Sequence, residues 1–296
     1  MNGMRKFTTT YYKLSSNGKF PVGNGFRLAF ISDLHNMEFG PDNTVLKAVI
    51  DEAAPDLVII GGDQIVAKPG ETTAIIGSTG CGKSTLVNLI PRLYDVSDGK
   101  ILLDGKDIRN ILMSDLREEI GFVPQKGVLF SGTIASNLRF GNDNATDEEI
   151  KKAAEIAQAT EFIKAKDDKY ESSISQGGSN VSGGQKQRLA IARAIAKNPK
   201  IFIFDDSFSA LDLKTDAALR KALSENVKDS TVIIVAQRIS TILHAEQILV
   251  LDDGKVVGKG THEQLLKDCE VYREIAKSQL SAKELGMDES EVSDNE

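Results

Sequence analysis

Apolar and polar positions form two repeating patterns along this chain. Short continuous apolar runs, such as Ile201–Phe204, are typical of strands that are buried on both faces of a sheet. Stretches with an apolar residue at every third or fourth position are typical of amphipathic helices. Because the two patterns alternate, the sequence predicts an α/β fold. The predicted strands are residues 27–31, 56–60, 73–76, 100–103, 121–123, 201–204 and 231–235, with a hairpin at 247–252 and 255–258.

The helical pattern fills the stretches between these strands. The first strand, the first helix and the second strand together predict a βαβ unit. Residues 1–25 are polar and predict a loose lead-in, whereas residues 281–296 form an acidic tail that we expect to be disordered. The predicted helices are residues 43–53, 85–90, 114–119, 147–159, 161–165, 186–196, a segment capped at 209–212 that ends at 223, 261–267 and 271–280.

One glycine-rich stretch has a recognisable chemistry. Residues 77–84 fit the pattern G-x-x-x-x-G-K-[ST] and lie between a predicted strand and a predicted helix, as a phosphate-binding loop does. Its backbone N–H groups and the helix N-terminus both favour an anion. Lys83 is predicted to reach the β- and γ-phosphates, and Ser84 to ligate Mg²⁺. The predicted nucleotide-binding residues here are Gly77, Ser78, Thr79, Gly80, Cys81, Gly82, Lys83, Ser84 and Thr85.

Charge and composition exclude several classes of protein. The net charge of −7 argues against nucleic acid as the main partner, because no broad basic surface is available. Two cysteines provide no disulfide framework, which predicts a cytoplasmic protein. The apolar runs are too short for a membrane helix, so we expect any membrane role to depend on a partner.

Polar residues follow the first two predicted strands. The segments Ile31–His35 and Gly62–Asp63 resemble the first two metal motifs of calcineurin-like metallophosphoesterases. The resemblance covers residues 26–70 and implies that Asp33, His35 and Asp63 form at most half of a two-metal site. The later histidine motifs of that family have no counterpart in this chain. A strand-end cap with a hydrogen-bonded histidine is the alternative reading of these residues.

Further motifs follow the phosphate-binding loop in a fixed order. They are Gln125, Val181–Gln185, Ile201–Asp205, Ser209–Asp212 and Gln237. With these motifs in place, residues 68–280 resemble the nucleotide-binding domain of ATP-binding cassette (ABC) transporters, most closely the exporter type. The resemblance implies a P-loop (RecA-like) core with a helical subdomain at about residues 126–197. It also implies ATP and Mg²⁺ as cofactors.

The resemblance assigns roles to particular residues. Asp205 would hold Mg²⁺ together with Ser84 and Gln125. The segment Val181–Gln185 would contact the γ-phosphate of an ATP bound mainly by a second nucleotide-binding domain, so that two nucleotides lie between two domains. The residues of this segment predicted to contact that nucleotide are Ser182, Gly183, Gly184 and Gln185.

Two positions depart from the family pattern. Asp206 stands where the family usually has a glutamate general base, and Gln237 where it usually has a histidine. With Gln125 they form the predicted catalytic set. Both changes affect hydrolysis, and together they resemble the degenerate site of a heterodimeric exporter. The sequence therefore predicts slow hydrolysis and a non-identical nucleotide-binding partner.

The N-terminal part of the chain also departs from the family pattern. The phosphoesterase-like segment, residues 1–67, stands where the family has an aromatic residue stacked on adenine, which predicts weaker ATP binding and a chimeric origin. Tyr11, Tyr12 or Phe20 are alternative stacking residues. We expect the domain to act with a membrane-spanning permease at the inner face of the cell membrane. A metal-dependent phosphoesterase and a nucleotide-binding fusion without catalytic activity are the alternative functions.

Overall fold

The computed structural model describes four stretches of the chain. They are the strands at 28–31 and 57–60 and the stretches 65–97 and 99–281. The chain divides into two compact units, residues 1–65 and 66–296. In the first unit, β1 (Leu28–Ile31) pairs in parallel with β2 (Leu57–Ile60), opposing Ile31 to Ile60. The helix predicted at residues 43–53 lies outside the described residues.

The described part of the second unit contains strands of two kinds. Long strands form the central sheet, and short strands form two separate two-stranded pairs. The strands are β3 (Thr72–Gly77), β4 (Leu102–Leu103), β5 (Lys106–Asp107), β6 (Ile120–Val123), β7 (Gly132–Thr133), β8 (Ser173–Ile174), β9 (Ile201–Asp205), β10 (Thr231–Val235), β11 (Gln247–Asp252) and β12 (Lys255–Gly260).

Helices connect these strands and cover the sheet. Several are preceded by a capping residue that satisfies their first N–H groups, as helix starts require. The α-helices are α1 (Lys83–Leu89), α2 (Met113–Glu118), α3 (Ile134–Arg139), α4 (Asp147–Ile156), α5 (Thr160–Lys164), α6 (Gly183–Ala196), α7 (Leu213–Asn226), α8 (Ile239–Ile242), α9 (His262–Asp268) and α10 (Glu270–Gln279).

The central sheet has six strands in the order β12-β11-β3-β10-β9-β6. The pair β11–β12 is antiparallel and the other pairs are parallel. Ile75 opposes Val235, Val235 opposes Asp205, and Phe204 opposes Val123. The strands β3, β10, β9 and β6 therefore end at one edge, where open α/β sheets bind their ligands.

Both faces of the sheet are covered. Along β3, Ala74 packs in one hydrophobic cluster and Ile75 in the other, because successive side chains of a strand point to opposite faces. Val87 of α1 packs with Ile75, and Leu189 of α6 packs on the opposite face with Ala74. This arrangement confirms the predicted α/β fold. None of the described helices combines the length and apolar character that a membrane span requires.

Some predicted boundaries were wrong in detail. Helix α6 begins at Gly183 rather than residue 186, because Ser182 caps it through a capping box. The strand predicted at 100–103 is reduced to Leu102–Leu103. Helices α3 and α8 and the pair β7–β8 were not predicted, since each is too short to show a period. The predicted hairpin at 247–258 is present, with Asp252 opposite Lys255.

Candidate functional site: a phosphate-binding loop at the sheet edge

The loop from Gly77 to Ser84 leads from the end of β3 into α1. A side chain at Gly77 would bring its Cβ within 2.0 Å of the Leu251 carbonyl oxygen, so only glycine fits beside β11. Gly82 has a φ of 97°, a left-handed value that favours glycine. The Gly254 N–H donates to the Cys81 carbonyl at 3.2 Å and ties the loop to the hairpin. The loop is therefore held in one shape by its neighbours.

Two side chains of this loop lie where the sequence predicts their chemistry. The Lys83 ammonium donates to the carbonyls of Gly77 and Ser78, each at 2.8 Å, so it lies over the loop. The Ser84 hydroxyl donates to Asp205 Oδ1 at 3.0 Å, across 121 residues of sequence. The structure thus brings together two of the three predicted Mg²⁺ ligands.

The third predicted ligand, Gln125, is hydrogen-bonded to the carboxylate of Asp206, the residue that follows Asp205 in sequence. Its Nε2 donates to Asp206 Oδ2 at 2.8 Å, and the Gln237 Nε2 donates to the same oxygen at 2.6 Å. These three side chains are the predicted catalytic set, and the structure joins them in one hydrogen-bonded group. They come from three strand ends, after β6, β9 and β10.

The two neighbouring aspartates differ in their surroundings. Both are buried, and Asp206 has a φ of 48°, in the left-handed region that few residues other than glycine, asparagine and aspartate adopt. Burial raises the pKa of Asp205 above its ordinary value, while the Ser84 hydroxyl opposes the shift. A bound cation would favour the ionised form of such a carboxylate, because it supplies the missing opposite charge.

The predicted second nucleotide contact, Val181–Gln185, forms the start of α6. The Gln185 N–H donates to Ser182 Oγ, and the Ser182 N–H donates to Gln185 Oε1, both at 3.2 Å. The Ser182 hydroxyl hydrogen is not used by this box and remains available as a donor. Within the described residues, no hydrogen bond joins this segment to the loop at 77–84.

Sequence reasoning missed two residues that fix the site. Gln187 is buried on α6; its Oε1 accepts from the Gly127 N–H at 3.0 Å and its Nε2 donates to the Pro124 carbonyl at 3.2 Å. These bonds hold the backbone on both sides of Gln125. Buried Ser207 donates to the Val123 carbonyl at 2.9 Å and joins the ends of β9 and β6. A polar residue on the apolar face of a predicted helix was the available signal for Gln187.

The remaining predicted residues belong to parts of the chain that the structure does not describe. Asp33, His35 and Asp63, together with Tyr11, Tyr12 and Phe20, are outside the described residues. In the stretches that the structure does describe, no three histidine, cysteine or acidic side chains gather into a group that could hold a metal ion. The Ser84 hydroxyl and the Asp205 carboxylate beside the phosphate loop are a different kind of arrangement, with two oxygen groups of the type that Mg²⁺ prefers.

The fold and the loop define a P-loop nucleotide-binding domain of the α/β class. Comparison with known families places it more closely, because residues 63–209 match the family described as ABC transporter. A Mycobacterium bovis protein named as an uncharacterized ABC transporter ATP-binding protein is 50% identical over 231 residues, 77% of this chain and 39% of that protein. The chain therefore carries an ABC transporter ATP-binding domain.

Other relatives agree with this assignment. A Staphylococcus aureus relative, whose name describes a multidrug export ATP-binding/permease protein, is 44% identical over 225 residues, 76% of this chain and 38% of its own. The structure of a bacterial Atm1-family ABC exporter with ATP bound is similar with a TM-score of 0.71 and 39% identity, covering 73% of this chain and 38% of that one. The chain thus spans less than half the length of these relatives.

Proposed function

We propose that this domain binds Mg-ATP and couples nucleotide binding, with slow hydrolysis, to an ABC exporter. The observation that carries the proposal is the hydrogen bond of 3.0 Å between Ser84 and Asp205, beside the Lys83 ammonium. A hydroxyl and a carboxylate at the mouth of a phosphate loop suit Mg²⁺, which prefers oxygen ligands. The names of the relatives, which describe ATP binding, support it.

Each residue has a definite task in this proposal. The loop N–H groups and Lys83 bind the phosphates, and Ser84 and Asp205 hold Mg²⁺, which supplies charge neutralisation when bound. Gln125 and Gln237 orient Asp206, which accepts the proton of the attacking water. Because Asp206 is one methylene shorter than glutamate, it reaches less far, and we propose slow turnover for that reason.

We also propose that the second nucleotide contact comes from another nucleotide-binding domain, non-identical to this one. Ser182 to Gln185 are joined to the loop of the same domain by no hydrogen bond within the described residues, while Ser182 keeps a donor hydrogen. An intact segment of this kind can serve a partner's site even where its own site is slow. This is the degenerate-site arrangement of a heterodimeric exporter.

The test of nucleotide binding is calorimetric titration of the purified chain with Mg-ATP. We expect micromolar binding by the wild type and its loss, by at least about a hundredfold, in Lys83→Ala, because the removed ammonium pairs with phosphate charge. Lys151→Ala is the matched control, since Lys151 is exposed on α4. Lys83→Arg keeps the positive charge but changes the contacts of the side chain with the loop. It therefore distinguishes the effect of the charge on binding from the effect of those contacts.

Two results would contradict nucleotide binding. One is a wild type that is folded and soluble but does not bind Mg-ATP. The other is a Lys83→Ala variant that binds as tightly as the wild type. Thermal unfolding of each variant, recorded alongside, distinguishes a lost site from a lost fold.

A surface cleft supports a permease as the second partner. The cleft has a volume of about 380 Å³ and is lined by residues of β6 and α6. Beside it, Phe130 and Phe140 stack with 4.1 Å between ring centroids and are 41% and 60% exposed. Arg193 lies 5.0 Å from the Phe130 ring, and burial lowers its pKa to about 10. Exposed aromatic surface of this kind marks a binding site for a protein partner.

The partner we propose here is a short cytoplasmic segment of a membrane-spanning permease, which would place the domain at the inner face of the membrane. Co-expression with the permease half of the Staphylococcus aureus relative tests it. We expect Phe140→Asp to reduce co-purification at least about tenfold, as removal of an interface anchor does. Val257→Asp, a change at another exposed apolar position on β12, where Val257 is 45% exposed, should have no effect. Equal recovery of both variants would contradict this docking site.

A further inference from the structure

The segment that carries Gln237 is fixed at both of its ends. At its start, the Ala236 N–H donates to the Ile75 carbonyl at 3.0 Å. Towards its end, the Thr241 hydroxyl donates to the buried Asp216 Oδ2 of α7 at 3.4 Å. We call residues 236–242 the switch segment. The turn between β10 and α8 carries Gln237, whose side chain donates to Asp206.

Helix α8 begins in this turn without a cap of its own. Its N-cap residue is Arg238, whose side chain makes no capping hydrogen bond. A guanidinium has donors but no acceptor, so it cannot satisfy the N–H groups of a helix start. These groups have no partner inside the helix and need an acceptor from elsewhere.

Gln279, at the end of the distant helix α10, meets this need. Its Oε1 accepts from the Ile239 N–H at 2.8 Å, and its Nε2 donates to the Gln237 carbonyl at 2.9 Å. One planar amide therefore satisfies a backbone donor and a backbone acceptor on either side of Arg238. The two bonds restrict the turn from which the Gln237 side chain extends.

Helix α10 is a firm support for this contact. Tyr272 and Ala276 are fully buried, and the Tyr272 hydroxyl lies 2.8 Å from His262 Nδ1 of α9. Gln279 follows Ala276 by three residues, so it is held within one helical turn of a packed position. A helix anchored by two buried residues thus carries Gln279, the exposed residue whose side chain caps α8.

We propose that Gln279 is a positioning residue: it caps α8 from helix α10 and so holds Gln237 against Asp206. Through this contact, the position of α10 determines the geometry of Gln237 and Asp206, which are proposed to act in hydrolysis. The proposal rests on the proposed function only for its effect on hydrolysis. The positioning itself is measured without nucleotide.

The first experiment is NMR spectroscopy of the full ¹⁵N-labelled chain without nucleotide. Two signals are followed: the exchange protection of the Ile239 amide, and the side-chain NH₂ resonance of Gln237, assigned by its absence in Gln237→Ala. In Gln279→Leu we expect the Ile239 protection to fall about five- to tenfold, as for one lost hydrogen bond. The Gln237 resonance should move towards the position of a free amide.

Two further variants separate positioning from general loosening. Gln279→Glu keeps an acceptor for the Ile239 N–H but loses the donor to the Gln237 carbonyl, so it should retain the Ile239 protection. Ser278→Ala is the matched control, because among the described residues the Ser278 hydroxyl bonds only the Ile275 carbonyl of its own helix. Unchanged Ile239 protection and an unchanged Gln237 resonance in Gln279→Leu would overturn the proposal.

The second experiment measures hydrolysis and binding. Gln279→Leu should lower turnover at saturating Mg-ATP several-fold and leave the dissociation constant of Mg-ATP unchanged. In a Gln237→Ala background it should have no further effect, because residues that act through one another are not additive. If the wild type fails to bind Mg-ATP while the NMR changes occur, the proposed function is wrong and the positioning contact stands.

Discussion

At the scale of single residues, the carboxylate of Asp206 is the most constrained group of the site. It is buried, its backbone is left-handed, and one of its oxygens accepts from two glutamine amides at 2.8 and 2.6 Å. Such strain at a strand end is typical of functional positions. The two amides fix the orientation of the carboxylate. We therefore expect a change of residue here to act on hydrolysis mainly through side-chain length, which sets how far the carboxylate extends towards the attacking water.

The first residue-scale prediction concerns that reach. Asp206→Glu should raise the rate of ATP hydrolysis at least about tenfold, since a general base within reach of water is worth more than that. Asp206→Asn is the matched variant and should abolish hydrolysis while binding is retained. The measurement is phosphate release at saturating Mg-ATP. If Asp206→Glu hydrolyses no faster than the wild type, reach does not limit this site.

Asp205 allows a second prediction, on stability. Its pKa is raised by burial, so the folded state disfavours the ionised form, and this cost is present at neutral pH without Mg²⁺. Asp205→Asn should therefore raise the unfolding free energy by about 1 kcal/mol and the Tm by about 2–4 °C. The gain should shrink as the pH falls through the raised pKa, because the wild type then becomes neutral as well.

Thermal unfolding in chelator across a pH series measures this difference. The same variant should lose the stabilisation that Mg-ATP gives the wild type, because a neutral amide is a poor ligand for Mg²⁺. A variant less stable than the wild type at neutral pH would show that the Ser84 bond outweighs the burial of the charge.

At the scale of elements, helix α6 combines two tasks at its N-terminus. Its capping box stabilises a helix that packs in the core through residues such as Leu189 and Ile191. The same residues, Ser182 to Gln185, are those proposed to contact a partner's nucleotide. Helix α4 has an equivalent box, made by Thr146 and Glu149, at an exposed place, and within the described residues no hydrogen bond joins it to the phosphate loop. A comparison of the two helices therefore separates the capping role of Ser182 from its proposed contact with a nucleotide.

The element-scale prediction uses that comparison. Ser182→Ala and Thr146→Ala should each lower the unfolding free energy by about 1 kcal/mol, since each removes one helix cap. Only Ser182→Ala should lower the ATP turnover of a pair of domains, because only it removes a donor that is proposed to contact phosphate. Denaturant unfolding and phosphate release are the two measurements. Equal losses of turnover in both variants would show that Ser182 affects turnover only as a helix cap.

At the scale of the whole molecule, the sequence predicted much of the fold and the residues that the site brings together. The phosphate loop and the buried strands follow from local patterns, because glycine spacing and apolar runs report directly on turns and buried strands. The convergence of Ser84 on Asp205 follows from the parallel order of the strands.

The remaining features depend on contacts between residues distant in sequence. The bonds of Gln279 to the switch segment leave no local period or motif. For Gln187, the sequence shows a polar residue on an apolar helix face but not its partners, the backbone groups around Gln125. Both glutamine amides bond Asp206, and Gln125 bonds neither Ser84 nor Asp205 within the described residues. This arrangement depends on side-chain geometry at three strand ends. Such contacts are visible only once the sheet order is known.

The last prediction concerns the pairing of two domains. In Asp206→Asn, which we expect not to hydrolyse ATP, Mg-ATP should shift the chain from its mass of 32.1 kDa towards about twice that value in the presence of a related, non-identical cassette. Sedimentation velocity measures the shift. Gly183→Asp added to this background tests the interface, because a Cβ at Gly183 meets nothing within 4 Å inside the single domain. The added carboxylate should leave folding and Mg-ATP binding intact and prevent pairing, because it would face a phosphate. Pairing that persists in this variant would place the second nucleotide contact elsewhere.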